Sequence, residues 1–236
     1  MCIRDSTSLC LNILRNITVY QGRPAVFFSL EMPRLQVTSN ILCSLARIDG
    51  HRLRGGYLTR EEERQFLDAA EILAPAPLFI DDTPGLSTME LRAKVRRLKA
   101  QHDISFVVID YLQLMSGSDR ASAESRQMEV SEISRMIKAL ARELSIPIMA
   151  LAQLSRKVEE RKDHKPMMSD LRESGSIEQD ADLIMLLFRP EYYEPDKEEL
   201  KNKAEVIVAK NRNGPVGEVK MAFFNSHMRF ESLTRM

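Results

Sequence analysis

Six short runs rich in Val, Ile, Leu and Phe constrain this chain more than any other feature. They lie at residues 25–30, 78–82, 106–114, 146–153, 183–188 and 205–209. Most are apolar at successive rather than alternate positions, so strands built from them must be covered on both faces. Helical patterns separate the first four. Thr59-Arg-Glu-Glu62 and Ser87-Thr-Met-Glu90 are capping boxes, which predict helices running to about residues 73 and 101. Residues 126–144 place Met128, Ile133, Met136, Ile137, Leu140 and Leu144 on one helical face. Strands alternating with helices predict an α/β fold, a mostly parallel sheet with helices on both faces. After residue 200 the rhythm changes. Runs at 205–212, 218–224 and 228–233 follow with short breaks, and Asn213-Gly214-Pro215 reads as a turn. Antiparallel strands appended to the parallel sheet are expected there. Residues 116–125 and 157–176 read as loops, either mobile or plainly solvated.

Charge and apolar run lengths exclude several classes. Thirty-four basic and 34 acidic residues give a net charge of zero, which rules out a generally polybasic nucleic-acid binder. A local basic surface, or a channel formed on assembly, stays open. The longest apolar run, at 146–154, is too short to span a bilayer. The first ten residues lack the apolar core of a signal peptide. Cys2, Cys10 and Cys43 have no Cys-x-x-Cys spacing, which suits structural thiols in a reducing compartment rather than zinc ligands or disulfides. A cytoplasmic protein without membrane contact is expected.

Several polar groups fall where such a fold binds ligands, at the carboxyl edge of the parallel strands. The run 106–110 ends in Asp110, which can hold Mg²⁺ or simply begin a turn. Glu31 follows the first strand; it can polarise a water, or be an acidic residue in the first turn of a helix starting near Pro33. Gln153 ends another strand. It has no useful pKa but can orient water or contact a phosphate, or be a satisfied strand-end amide. Residues 170–176 mix Arg172, Glu173, hydroxyls and Gly175 before a helical pattern at 177–180. They suit phosphate contact, or a solvated cap. Lys210 and Arg212 stand at i and i+2 of an extended segment, so both project from one face. They suit a polyphosphate presented by a neighbouring molecule, or a charged hairpin tip.

The order of these motifs resembles one family. Ser29-Leu-Glu-Met32, Val108-Ile-Asp-Tyr-Leu-Gln-Leu114, residues 150–156, residues 169–182 and Ala209-Lys-Asn-Arg-Asn-Gly-Pro215 occur as they do in the C-terminal motor domain of DnaB-type replicative DNA helicases. The resemblance covers residues 7–233, and 169–182 is its most specific run. It implies a RecA-like P-loop core and a homohexameric ring on single-stranded DNA, driven 5′→3′ by ATP with Mg²⁺. A primase and a helicase loader serve as partners in the full-length family. By position, Glu31 resembles the water-activating carboxylate, and Asp110 resembles the magnesium carboxylate. Thr7 matches the Thr of the phosphate loop and Gln153 the γ-phosphate sensor. Lys210 and Arg212 resemble the pair inserted into the next subunit's site, Arg212 being the finger. Arg172, Glu173 and Gly175 match the channel loop that follows DNA. A RecA-like recombination or repair ATPase and a non-hydrolysing helicase-like subunit are the alternatives.

The resemblance fails at its start. The family carries a strand and a glycine-rich loop ending Gly-Lys before the Thr, whereas here Asp5 and Ser6 precede Thr7 and residues 1–6 hold no glycine. A phosphate cradle needs glycines and a lysine. Residues 1–6 read as foreign sequence joined to a truncated frame, with a diverged paralogue as the alternative. Residues 7–236 then form an incomplete motor domain lacking its first core strand, inactive alone and prone to aggregate. Asn40 also stands where the family often has an Arg.

Overall fold

The computed structural model describes residues 3–116 and 126–233. Its parallel strands are β1 Ala25–Ser29, β2 Leu78–Asp81, β3 Phe106–Asp110 and β4 Ile148–Ala150, arranged β2-β1-β3-β4. Its antiparallel strands are β5 Leu183–Phe188, β6 Lys203–Asn211, β7 Gly217–Phe224 and β8 Arg229–Ser232, paired in sequence order. The helices are α1 Ile3–Arg15, α2 Arg34–Ala46, α3 Gly50–Gly55, α4 Arg60–Leu73, α5 Thr88–His102, α6 Arg126–Leu144, α7 Gly175–Asp180 and α8 Pro190–Tyr193.

The apolar runs explain the layering through the two-residue period of a strand. Val26, Phe28, Leu30, Val107 and Ile109 face one side, against Leu91 and Val95 of α5 and Ile133, Ile137 and Leu140 of α6. Ala25, Phe27, Phe106 and Val108 face the other, against Leu11 and Leu14 of α1 and Val37 and Ile41 of α2. Phe27 and Phe28 are fully buried on opposite faces, and truncating either to Ala costs about 3–5 kcal/mol. Both capping boxes form, Thr59 with Glu62 and Ser87 with Glu90. The N-terminus of α2 is capped from a distance, the Arg34 N–H donating to the Asp82 carboxylate at 2.9 Å.

Two expectations need correction. The C-terminal strands are antiparallel as predicted, but they form a second sheet rather than an extension of the first. Among the described residues, the outer edges of β4 and β5 have no strand partner. Side chains join the two sheets instead, those of helix α1 and those of Ala152 and Leu154, which follow β4 and pack with Leu171, Ile184 and Leu186. Leu9 packs on Leu187, Val206, Phe223 and Phe230, while Cys10, Leu11 and Leu14 pack on the parallel sheet. The buried Asn12 amide donates to the Met228 carbonyl at 2.8 Å and accepts from the Phe230 N–H at 3.3 Å.

Residues 157–176 are also not one loop. They contain 3-10 helices at Arg156–Glu160 and Met168–Ser174 and the start of α7. The Arg161 guanidinium forks onto Asp170 at 2.9 and 2.6 Å and also donates to the Lys165 carbonyl at 2.6 Å. That staple offsets the entropy that leaves an unpaired polar segment loose. The other predicted loop lies outside the described residues from position 117 to 125. No helix among the described residues is long and apolar enough to cross a membrane.

Candidate functional site

Strands β1 and β3 are neighbours in register, with Ser29 opposite Asp110. Their carboxyl ends bring Glu31 and Asp110 into electrostatic reach of one another. Glu31 lies in the bend after β1, exposed and outside α2, which begins at Arg34; it is not a first-turn residue. The Ser29 hydroxyl donates to the Met32 carbonyl at 2.6 Å and tightens that bend. Asn40 lies on α2 with its amide 4.0 Å from the Met32 sulfur.

Asp110 is 2% exposed, and its Oδ2 accepts from the Thr7 hydroxyl at 2.7 Å. Its other oxygen, Oδ1, is buried with no hydrogen-bond partner among the described residues. Burial lifts the Asp110 carboxyl to about 6; the Thr7 bond pulls it down and the charge of Glu31 pushes it further up. Burial, then Glu31 and Asp110, raise the Tyr111 phenol as well.

A divalent cation fits this pair. Thr7 and Asp110 offer hard oxygen donors, and the orphaned Oδ1 is a lone pair that a bound Mg²⁺ would satisfy. The phosphate half does not fit. Residues 3–6 are the first turn of α1 and carry neither the glycines nor the lysine that cradle phosphates. Asp5 is buried against Arg189, its two oxygens 3.1–3.2 Å from the guanidinium. Burial raises the Asp5 carboxyl more than Arg189 lowers it. The Asp5 carboxylate is thus turned to a guanidinium of its own chain.

Gln153 follows β4 with its side chain exposed. Its backbone is held by Gln113, whose side chain accepts from the Gln153 N–H at 3.2 Å and donates to its carbonyl at 3.4 Å. The positions of Tyr111 and Gln113 were not anticipated, although both lie within the 108–114 motif.

Lys210 and Arg212 do project from one face, as their spacing predicts, but they bond to neither Asp110 nor Glu31. Lys210 donates to the Glu178 carbonyl at 2.6 Å, and Arg212 to the Gln179 carbonyl at 2.5 Å and the Asp182 carboxylate at 3.3 Å. All three acceptors lie at or just beyond the C-terminal end of α7, where a helix favours cations. Arg172 and Glu173 contribute backbone to the 3-10 helix before α7, and Gly175 opens α7. Their side chains lie outside the described part of the structure.

Residues 5–232 match the DnaB-like helicase C terminal domain family. The chain is 50% identical to the replicative DNA helicase DnaB of Geobacillus stearothermophilus and 48% identical to the replicative DNA helicase DnaC of Bacillus subtilis. Each alignment covers 97% of this chain and 50% of the relative, so the chain spans about half the length of these curated relatives. Among solved structures, a DnaB-like replicative helicase described with its interactions with primase is 35% identical, with a TM-score of 0.92 over 98% of this chain and 55% of that one. A solved ATPase domain gives the same identity and TM-score, with 81% of that chain covered.

Proposed function

This chain belongs to the DnaB-like helicase C-terminal domain family, and on that premise we propose that it is the motor portion of a replicative DNA helicase. In this reading the complete protein works as a ring of six copies around single-stranded DNA, moving 5′→3′ at the expense of ATP, and this chain is an inactive part of it. The observation that carries it is the Thr7–Asp110 bond beside Glu31 at the carboxyl edge of the parallel sheet. Thr7 and Asp110 would hold Mg²⁺, which when bound would screen phosphate charge. Glu31, exposed on its bend, orients and deprotonates a water. Gln153, fixed through its backbone by Gln113, reports the state of that edge to the rest of the chain. Lys210 and Arg212 serve the neighbouring copy; in this chain they close on the end of α7 and bond neither Asp110 nor Glu31. Arg172, Glu173 and Gly175 follow the DNA backbone. Primase and a loader are partners of the complete protein, at the replication fork in the cytoplasm.

Asp5 and Ser6 favour a second reading for the chain as it stands, a non-hydrolysing subunit. The two readings separate when a glycine-rich loop ending Gly-Lys is grafted ahead of Thr7. The parent chain should neither bind a fluorescent ATP analogue nor release phosphate. The grafted chain should do both, with turnover stimulated by single-stranded DNA. Glu31→Gln in the graft should keep binding and lose turnover by more than a hundredfold. A graft that binds nucleotide but turns over equally well with Glu31→Gln or Arg212→Ala would sink the motor reading.

A further inference from the structure

Residues 169–182 carry three aspartates; Asp170 is stapled to Arg161, and the role of Asp180 and Asp182 is not explained by contact with DNA or nucleotide. Ser134 and Lys138 lie one turn apart on α6, on one face. The Ser134 hydroxyl donates to Asp180 Oδ2 at 2.7 Å, and Lys138 pairs with Asp182. From the other side Arg212 reaches the same Asp182 twice. Its guanidinium meets Oδ1 at 3.3 Å, and its backbone N–H donates to the Asp182 carbonyl at 2.9 Å. Lys210 and Arg212 also close on the carbonyls of Glu178 and Gln179, which end α7. Helix α7 therefore has the 3-10 segment Met168–Ser174 at one end and the two cations at the other, with α6 along its side.

We propose that α7 is a strut between the DNA-facing segment and the Lys210–Arg212 pair, and that Asp182 is the positioning residue that fixes its end. This rests on the reading of those two elements given above. It goes beyond that reading by stating how a displacement at one reaches the other within a single subunit. A six-residue helix is too short to hold its shape by itself. Its geometry has to come from its end contacts, and the Asp182 side chain there bonds both to Lys138 on α6 and to Arg212, just beyond β6. Asp182 is half exposed, so its function is to set geometry rather than to supply much stability.

The test uses the chain itself and needs no nucleotide, so it can fail while the motor reading stands, and the reverse. Two signals are read. One is hydrogen exchange of backbone amides at residues 176–182, including the Ala181 N–H held by Ile177 at 3.0 Å. The other is restricted rotation of the Arg212 guanidinium, seen as separate side-chain N–H resonances. In Asp182→Asn both signals should loosen together, with exchange at 176–182 about tenfold faster, while amides of β1 and β3 stay as protected as in the parent. Asp182→Glu should restore much of both. Release of the Arg212 guanidinium without faster exchange at 176–182 would overturn the strut, as would no change in either. Should Asp182→Asn fail to fold, Arg212→Gln serves instead, and unchanged exchange at 176–182 in that variant would overturn the proposal.

Discussion

Thr7 and Asp110 stand 103 residues apart in sequence, and a single 2.7 Å hydrogen bond between them ties the first turns of α1 to the carboxyl end of β3. The bond satisfies one oxygen of a buried carboxylate and leaves the other unmet. Such a carboxylate costs folding free energy at neutral pH.

Replacing Asp110 should therefore stabilise the chain. Asp110→Asn removes the buried charge and keeps an acceptor for Thr7, so its urea midpoint at pH 7.5 should rise. Thr7→Val removes the partner and should lower stability by about 1.5–3 kcal/mol, the range for a bond to a charged group. Urea unfolding monitored by circular dichroism checks both signs. A destabilised Asp110→Asn would contradict the account.

Arg189 holds a second buried carboxylate. It pairs with Asp5 at 3.1 Å, and its guanidinium lies 4.7 Å from the centre of the Phe223 ring. Arg189→Met should cost about 3–5 kcal/mol, because it strands Asp5. Asp5→Asn in the same background should recover part of the loss, and a double-mutant cycle measures the coupling.

The Arg161–Asp170 staple gives a pH signature. Burial alone would lift the Asp170 carboxyl; the bonds from Arg161 and from the Met167 N–H outweigh it and hold the group below 3.8. A depressed carboxyl binds fewer protons folded than unfolded, so its contribution is present above the unfolded value and fades as pH falls through the folded one. Asp170→Asn should lose about 2 kcal/mol at pH 7. The gap between parent and variant should stay constant down to about pH 5 and narrow below about pH 4. Urea midpoints across that range decide it, and a gap that widened in acid would reverse the sign.

The edges of β4 and β5, without a strand partner among the described residues, make self-association the expected failure of this chain. Leu183 and Met185 on β5 are 47% and 37% exposed, an apolar edge of the kind that recruits other strands. Light scattering after size exclusion should show oligomers growing with concentration. Met185→Lys should reduce them without changing the circular dichroism. A monodisperse parent at high concentration would remove this expectation.

Much of this was legible because it depends on neighbours in sequence. Alternation of Val26 and Phe28 with Ala25 and Phe27 is enough to demand helices on both faces. The capping boxes need only four residues each. Asp110 was visible as a carboxylate ending an apolar run, and the common face of Lys210 and Arg212 followed from their spacing. What was not legible joins residues far apart. Nothing near Asp5 announces Arg189, 184 positions away. Spacing put two cations on one face but could not say that α7 would receive them. Thr7 carries no local pattern at all; only the resemblance to a family marked it. The split into two sheets escaped the pattern too, because the apolar runs of β4 and β5 do not say which edges will pair.

Helix α1 is embedded in both sheets' cores. An α-helix is stiff along its axis, so one of 13 residues is a rod about 20 Å long. Its first two turns hold Thr7 against Asp110 and Asp5 against Arg189, and Asn12, further along, is bonded to Met228 and Phe230. Among the described residues no strand ladder joins the two sheets, so the carboxyl end of β3 and the last hairpin share one stiff support, bonded to each by a different turn of the same helix.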